Sequence, residues 1–80
     1  MTEKTTLFNL SLIKKENIKV TIKEVFESLE IKGYNPKNQI IGYLMSGDSS
    51  YISNFQNARE KMLELDRADI LEYLLEESMK

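Results

Sequence analysis

Eighty residues, 41% hydrophobic and 30% charged, make one domain whose single core yields only a few kcal/mol of net stability. With no cysteine and no histidine, the chain excludes disulfides and thiolate sites and lacks the commonest metal ligand and general base. Its net charge of −2 divides into +2 over residues 1–47 and −4 over residues 48–80, with no dense basic patch, so nucleic acid is not an expected partner and most charges read as a solvated face.

Residues 1–15 show no clear period. Leu7, Phe8, Leu10, Leu12 and Ile13 alternate loosely with Thr5, Thr6, Asn9 and Ser11. The segment reads as a short N-terminal arm, extended and laid on the body, because a lone strand would find no partner elsewhere in the chain. The domain proper is then 16–80. The arm lacks the basic region and long apolar core of a signal peptide, and no apolar run is long enough to span a membrane, so a cytoplasmic protein is expected.

Over 16–32, Ile18, Ile22, Val25, Phe26 and Leu29 fall at helical spacing. The β-branched run Val20-Thr21-Ile22 weakens intrinsic propensity, so packing must hold this helix. Gly33 suits the left-handed residue that closes it. Asn35 then caps a second helix with Pro36 at its first position, and Ile40, Ile41, Leu44 and Met45 give that helix an apolar face. Gly42, in mid-helix, reads as a point of close helix–helix approach, and Gly47 ends the element. Asp48 can cap a short turn over 49–53 carrying Tyr51 and Ile52. A helix from about Asn54 to Leu65 follows, with Phe55, Ala58, Met62 and Leu65 on one face. Asp66, with Asp69 three residues on, reads as the cap of a last helix bearing Ile70, Leu71, Leu74 and Leu75, although residues 54–79 could instead form one long helix. The expected fold is all-α, a compact bundle of four to five short helices with an N-terminal arm. Such short helices cannot bury every stripe alone, so a homodimer is expected, formed through the Ile40/Leu44 or the Leu71/Leu75 face.

Little here resembles a catalytic centre. No Asp/Glu cluster has metal-ligand spacing, and capping accounts for Asp66 and Asp69. Ser46 has no base near it in sequence, and Ser46-Gly47-Asp48 is too poor in glycine for a phosphate nest. Neither an enzyme nor a cofactor or metal site is expected. Tyr34, Tyr43 and Tyr51 either pad the core or offer a partner surface. Arg59 and Arg67 are the two arginines in a chain with nine lysines. They fit positions needing a guanidinium fork, whether for a partner's carboxylate or phosphate or for an intramolecular pair. Thr5 and Thr6 offer hydroxyls to a kinase, and phosphorylation there would add about −1.5 to −2 charge.

The stretch Gly33-Tyr34-Asn35-Pro36, then Asn38-Gln39-Ile40, Gly42-Tyr43 and Ser46-Gly47-Asp48, closely resembles the signature of the IreB/ReoM family of small bacterial regulatory proteins. The likeness continues through Tyr51-Ile52, Asn57-Ala58-Arg59, Arg67 and Asp69-Ile70. Thr5 with Phe8-Asn9-Leu10 is similar to the family's N-terminal arm. The chain departs from the family pattern at Ser49, where a proline is usual, at Ser53-Asn54-Phe55 and at Ala68.

The resemblance implies a non-catalytic, homodimeric, cytosolic protein modified on Thr5, with Thr6 adjacent, by a membrane Ser/Thr kinase. It implies control of cell-wall precursor synthesis through Clp-protease turnover of the UDP-N-acetylglucosamine enolpyruvyl transferase. The expected partner surface comprises Tyr34, Asn35, Tyr43, Asp48, Tyr51, Arg59 and Arg67. The alternative is a structural homodimeric module with an unrelated client and no phospho-switch.

Overall fold

The computed structural model describes the backbone of residues 2–80 and the side chains of residues 11–80. Four α-helices follow one another: α1 (Thr2–Ile31), α2 (Pro36–Ser46), α3 (Ala58–Leu63) and α4 (Arg67–Ser78). Single 3₁₀ turns at Ser49–Tyr51 and Phe55–Asn57 connect α2 to α3, and no strand occurs among the described residues. The fold is all-α, as the apolar spacing requires.

The helices begin and end where local chemistry dictates. At the end of α1, Tyr34 N–H bonds the Leu29 carbonyl and Gly33 N–H bonds that of Glu30, both at 3.0 Å, with Gly33 at φ +89°. This paired arrangement satisfies carbonyls that the helix leaves orphaned. Asn35 opens α2 by accepting from Asn38 N–H at 3.1 Å, with Pro36 in the first helical position. Asp66 opens α4 by accepting from Ala68 N–H at 2.8 Å, so the chain breaks there into two helices.

Two expectations need correction. Residues 11–15 are helical and not extended: α1 runs through them without interruption and spans 30 residues, so it is not a short helix. Helical spacing brings Ser11, Lys14, Lys15 and Ile18 to the side facing α4, where Lys14 and Lys15 meet Asp69 and Glu76. The third helix starts at Ala58 and not near Asn54, because Gln56 and Asn57 turn left-handed (φ +54° and +63°) immediately before it. Leu71 and Leu75, one of the two faces expected at a dimer, are exposed in the single chain, and Ile70 is the one residue of α4 that the core fully encloses.

The core sits where α1 crosses α2 and α3. Val25 and Leu29 from α1, Ile52 from the connecting turn, Ala58 and Met62 from α3 and Ile70 from α4 are wholly buried, with Ile18, Ile40 and Tyr43 beside them. Ile22, Phe26, Leu44, Leu65 and Tyr73 pack around this cluster. Apolar burial at about 25 cal/mol per Å² supplies what the β-branched segment of α1 lacks in propensity.

Candidate functional site

The glycine-bearing motif folds into a cap on the C-terminal end of α2, followed by a tightly bonded turn. Gly47 adopts φ +77° and returns its N–H to the Tyr43 carbonyl at 2.7 Å. The next free carbonyl, that of Leu44, accepts from an Arg67 terminal guanidinium nitrogen at 3.0 Å. That guanidinium lies flat over Gly47, so close that a Cβ there would stand 2.9 Å from its central carbon. Glycine at this position therefore serves the backbone angle and the arginine together.

The turn beyond is self-bonded. Ser46 donates its hydroxyl to the Gly42 carbonyl at 2.7 Å and accepts from Asp48 N–H at 3.0 Å. The Asp48 carboxylate accepts from Ser50 twice, from the hydroxyl at 2.7 Å and the backbone N–H at 2.9 Å. The Ser50 hydroxyl, then its N–H, and further off the positive charge of Arg59, hold the Asp48 carboxyl below its usual 3.8. Arg59 itself donates from Nε to the Ile52 carbonyl at 2.8 Å. Tyr51 closes the turn by laying its ring against Gly42. Mid-helix Gly42 therefore admits an aromatic ring, where a second helix was expected.

The seven residues expected to bind a partner separate into three places. Asp48, Tyr51, Arg59 and Arg67 come together at the C-terminal end of α2. Tyr34 and Asn35 sit at its other end, about 16 Å of helix away. There they border a shallow hollow of about 440 Å³ shared with Phe26 and Lys37. Tyr43 is 4% exposed and belongs to the core. The Thr5 and Thr6 side chains lie outside the described residues.

Two polar links escaped the sequence reading. Gln39 accepts from Ser53 N–H at 2.9 Å and donates to its hydroxyl at 3.2 Å, clamping the connection between the two 3₁₀ turns. Ser28, 5% exposed, donates to the Gln56 side-chain carbonyl at 2.7 Å and braces the left-handed bend. A serine within an otherwise apolar helical stripe was the one available hint, and its target is 28 residues away.

Chemically, this cluster offers recognition groups. Its hydroxyls are engaged in shaping the turn: Ser46 donates to a main-chain carbonyl, and Ser50 donates to the Asp48 carboxylate, whose lowered pKa makes it a weak proton acceptor. Each guanidinium donates to one main-chain carbonyl and keeps further N–H groups of its fork for an incoming acceptor. Among the described residues no group of three carboxylates could hold a metal ion.

The chain is a small all-helical domain with arginines, an acid and a tyrosine gathered around one shaped turn. The family model for the IreB regulatory phosphoprotein matches residues 3–80, and the chain belongs to that family.

Proposed function

We propose that this regulatory phosphoprotein is a non-catalytic, cytosolic homodimer that accepts phosphate on Thr5, or on adjacent Thr6, from a Ser/Thr kinase. In this reading it governs cell-wall precursor synthesis through Clp-dependent turnover of the enolpyruvyl transferase. The observation that carries the proposal is the family match over residues 3–80, which includes the threonine-bearing N-terminal segment. The Asp48–Tyr51–Arg59–Arg67 cluster is the proposed contact for the client or the protease. Tyr34 and Asn35 form a second point of contact on the same helix.

The experiment is kinase labelling of the full chain and of Thr5→Ala, Thr6→Ala and the double variant. The tagged protein is then captured from its own cells. Loss of label in Thr5→Ala or Thr6→Ala, with a Clp component or the transferase in the capture, is the expected result. Undiminished labelling of the double variant would overturn the phosphoacceptor assignment.

One observation favours a second reading, a structural homodimeric module with an unrelated client. Leu71, Leu74, Leu75 and Met79 leave an apolar stripe open on α4, where a second copy could pack whatever the state of Thr5. Ile40 is enclosed by its own core, so the α4 face is the one proposed for the dimer. Deleting residues 1–10 without loss of function would favour this reading. A monomeric mass by light scattering at micromolar protein would refute the dimer in both.

A further inference from the structure

Helix α4 is fastened more weakly than its length suggests. Of its 12 residues Ile70 alone is buried, and Tyr73 adds a half-buried ring. Between α1 and α4 lies an open cavity of about 270 Å³ with Lys14, Lys15, Asp69, Glu72 and Glu76 in its walls. A second, apolar groove of about 450 Å³ follows along the same seam, floored by Ile22, Phe26, Tyr73 and Leu74. Along these open grooves water stands where side chains of α1 and α4 would otherwise interlock.

Charge adds to the hold that Ile70 and Tyr73 provide. Lys14 pairs with Asp69 at 3.0 Å and Lys15 with Glu76 at 2.9 Å, so the two ties sit near opposite ends of α4. The wider pattern agrees: residues 11–23 carry four lysines and one glutamate, whereas residues 66–77 carry five acids and one arginine. At its start α4 is also pinned by Arg67 reaching the Leu44 carbonyl, while Asp66 caps the helix itself through Ala68 N–H. One end is thus held by a directed hydrogen bond, while the length beyond adds exposed, screenable pairs.

We propose that α4 is an electrostatically latched strap that swings away from α1 about Asp66–Arg67 when its lysine–carboxylate ties are screened or broken. Opening withdraws Ile70 from the edge of the core and uncovers Ile18, Ile22 and Tyr73, while Val25, Leu29, Ile52 and Met62 keep their contacts with one another. The device requires no phosphate. Because the proposed dimer packs on the outer face of α4, exchange is compared at one fixed protein concentration, and failure of the dimer shows in the mass while failure of the latch shows in the exchange.

Amide hydrogen exchange on the full chain tests it. Lys15→Glu places like charges at the Glu76 tie, and Lys15→Glu with Glu76→Lys restores the pair in reverse. Amides of residues 71–78 are expected to exchange about 1.5-fold to fivefold faster in Lys15→Glu, the range that exposed pairs supply. They should return to wild-type rates in the swapped variant, with amides of residues 25–29 and of Met62 unchanged throughout. Wild-type protein moved from about 0.05 to about 0.5 M NaCl should show the same selective acceleration, and this keeps the proposal testable if a variant fails to fold. Exchange in α4 that ignores both salt and charge reversal would overturn the latch. Acceleration of all segments together would overturn independent opening.

Discussion

Substituting Gly42 by alanine sets two effects of known sign against each other. In a helix interior the change contributes about 0.5–1 kcal/mol of stability by restricting the unfolded chain. Here the new methyl would stand 2.5 Å from Tyr51 Cδ1 and 3.0 Å from its Cγ and Cε1. Those atoms include the root of the ring, so a movement of the phenol tip alone does not relieve the overlap. Inserting a methyl where no space exists costs about 1–3 kcal/mol. Steric overlap therefore wins, and Gly42→Ala should destabilise the domain by about 1 kcal/mol, lowering the melting temperature by about 4–8 °C. With Tyr51 truncated to alanine the obstacle is gone, and the same Gly42→Ala change should then stabilise by about 0.5–1 kcal/mol. The assay is urea denaturation of the four members of this cycle at one fixed protein concentration, since self-association would otherwise shift the midpoints. The reversal of sign is what matters. If Gly42→Ala stabilises in both backgrounds, the ring does not lie on Gly42, and the account of this turn fails.

Further consequences are open to simpler tests. Gly47→Ala forces an L-residue into φ +77° and displaces the Arg67 guanidinium, so thermal melting should show a loss of at least about 1–2 kcal/mol. Ser28→Ala removes the donor from exposed Gln56, where water can take its place, and urea denaturation should register no more than about 1 kcal/mol of destabilisation. The Asp48 carboxyl is held below 3.8 in the folded chain, so its contribution is present above that value and disappears as pH falls through the lowered one. Melting temperatures of wild type and Asp48→Asn should accordingly differ near pH 7 and draw together as the pH falls below 3.8, whereas an unchanged gap would exclude the charge as its origin.

What could be read from the sequence was local. Asn35-Pro36, Gly33, Gly47, Asp48 and Asp66 each act within a few residues of themselves, and each is found capping or terminating as its chemistry predicts. The core positions of α1 were equally legible, since 3.6-residue spacing suffices to choose Ile18, Val25 and Leu29. What escaped depends on distant partners. The helix through residues 11–15 meets α4 through pairs such as Lys15 with Glu76, 61 residues on. The late start of α3 depends on a left-handed bend at Gln56 and Asn57, which Ser28 braces from α1. Periodicity also identified Leu71 and Leu75 as apolar without saying against what, and within one protomer they remain exposed. Rarity drew attention to the two arginines, but nothing local announced that their acceptors would be main-chain carbonyls.

That last feature decides how the arginines must be tested. Arg59 and Arg67 each hold a carbonyl of the segment that displays Asp48 and Tyr51, so an alanine variant that loses a partner could do so merely by loosening the turn. Lysine separates the two roles, because it keeps the charge but lacks the planar fork. The Arg67 bond is solvent-exposed, so water can replace the arginine at the Leu44 carbonyl, and Arg67→Lys should cost no more than about 1 kcal/mol in urea denaturation. If the guanidinium contacts a partner's carboxylate or phosphate directly, capture of that partner should fall at least about tenfold in this nearly stable variant, as loss of a bidentate charged pair does. Gly47→Ala supplies the opposite case, since it retains the arginine while disturbing the turn. Weaker capture in Gly47→Ala but not in Arg67→Lys would refute direct contact and leave Arg67 as a brace for the turn.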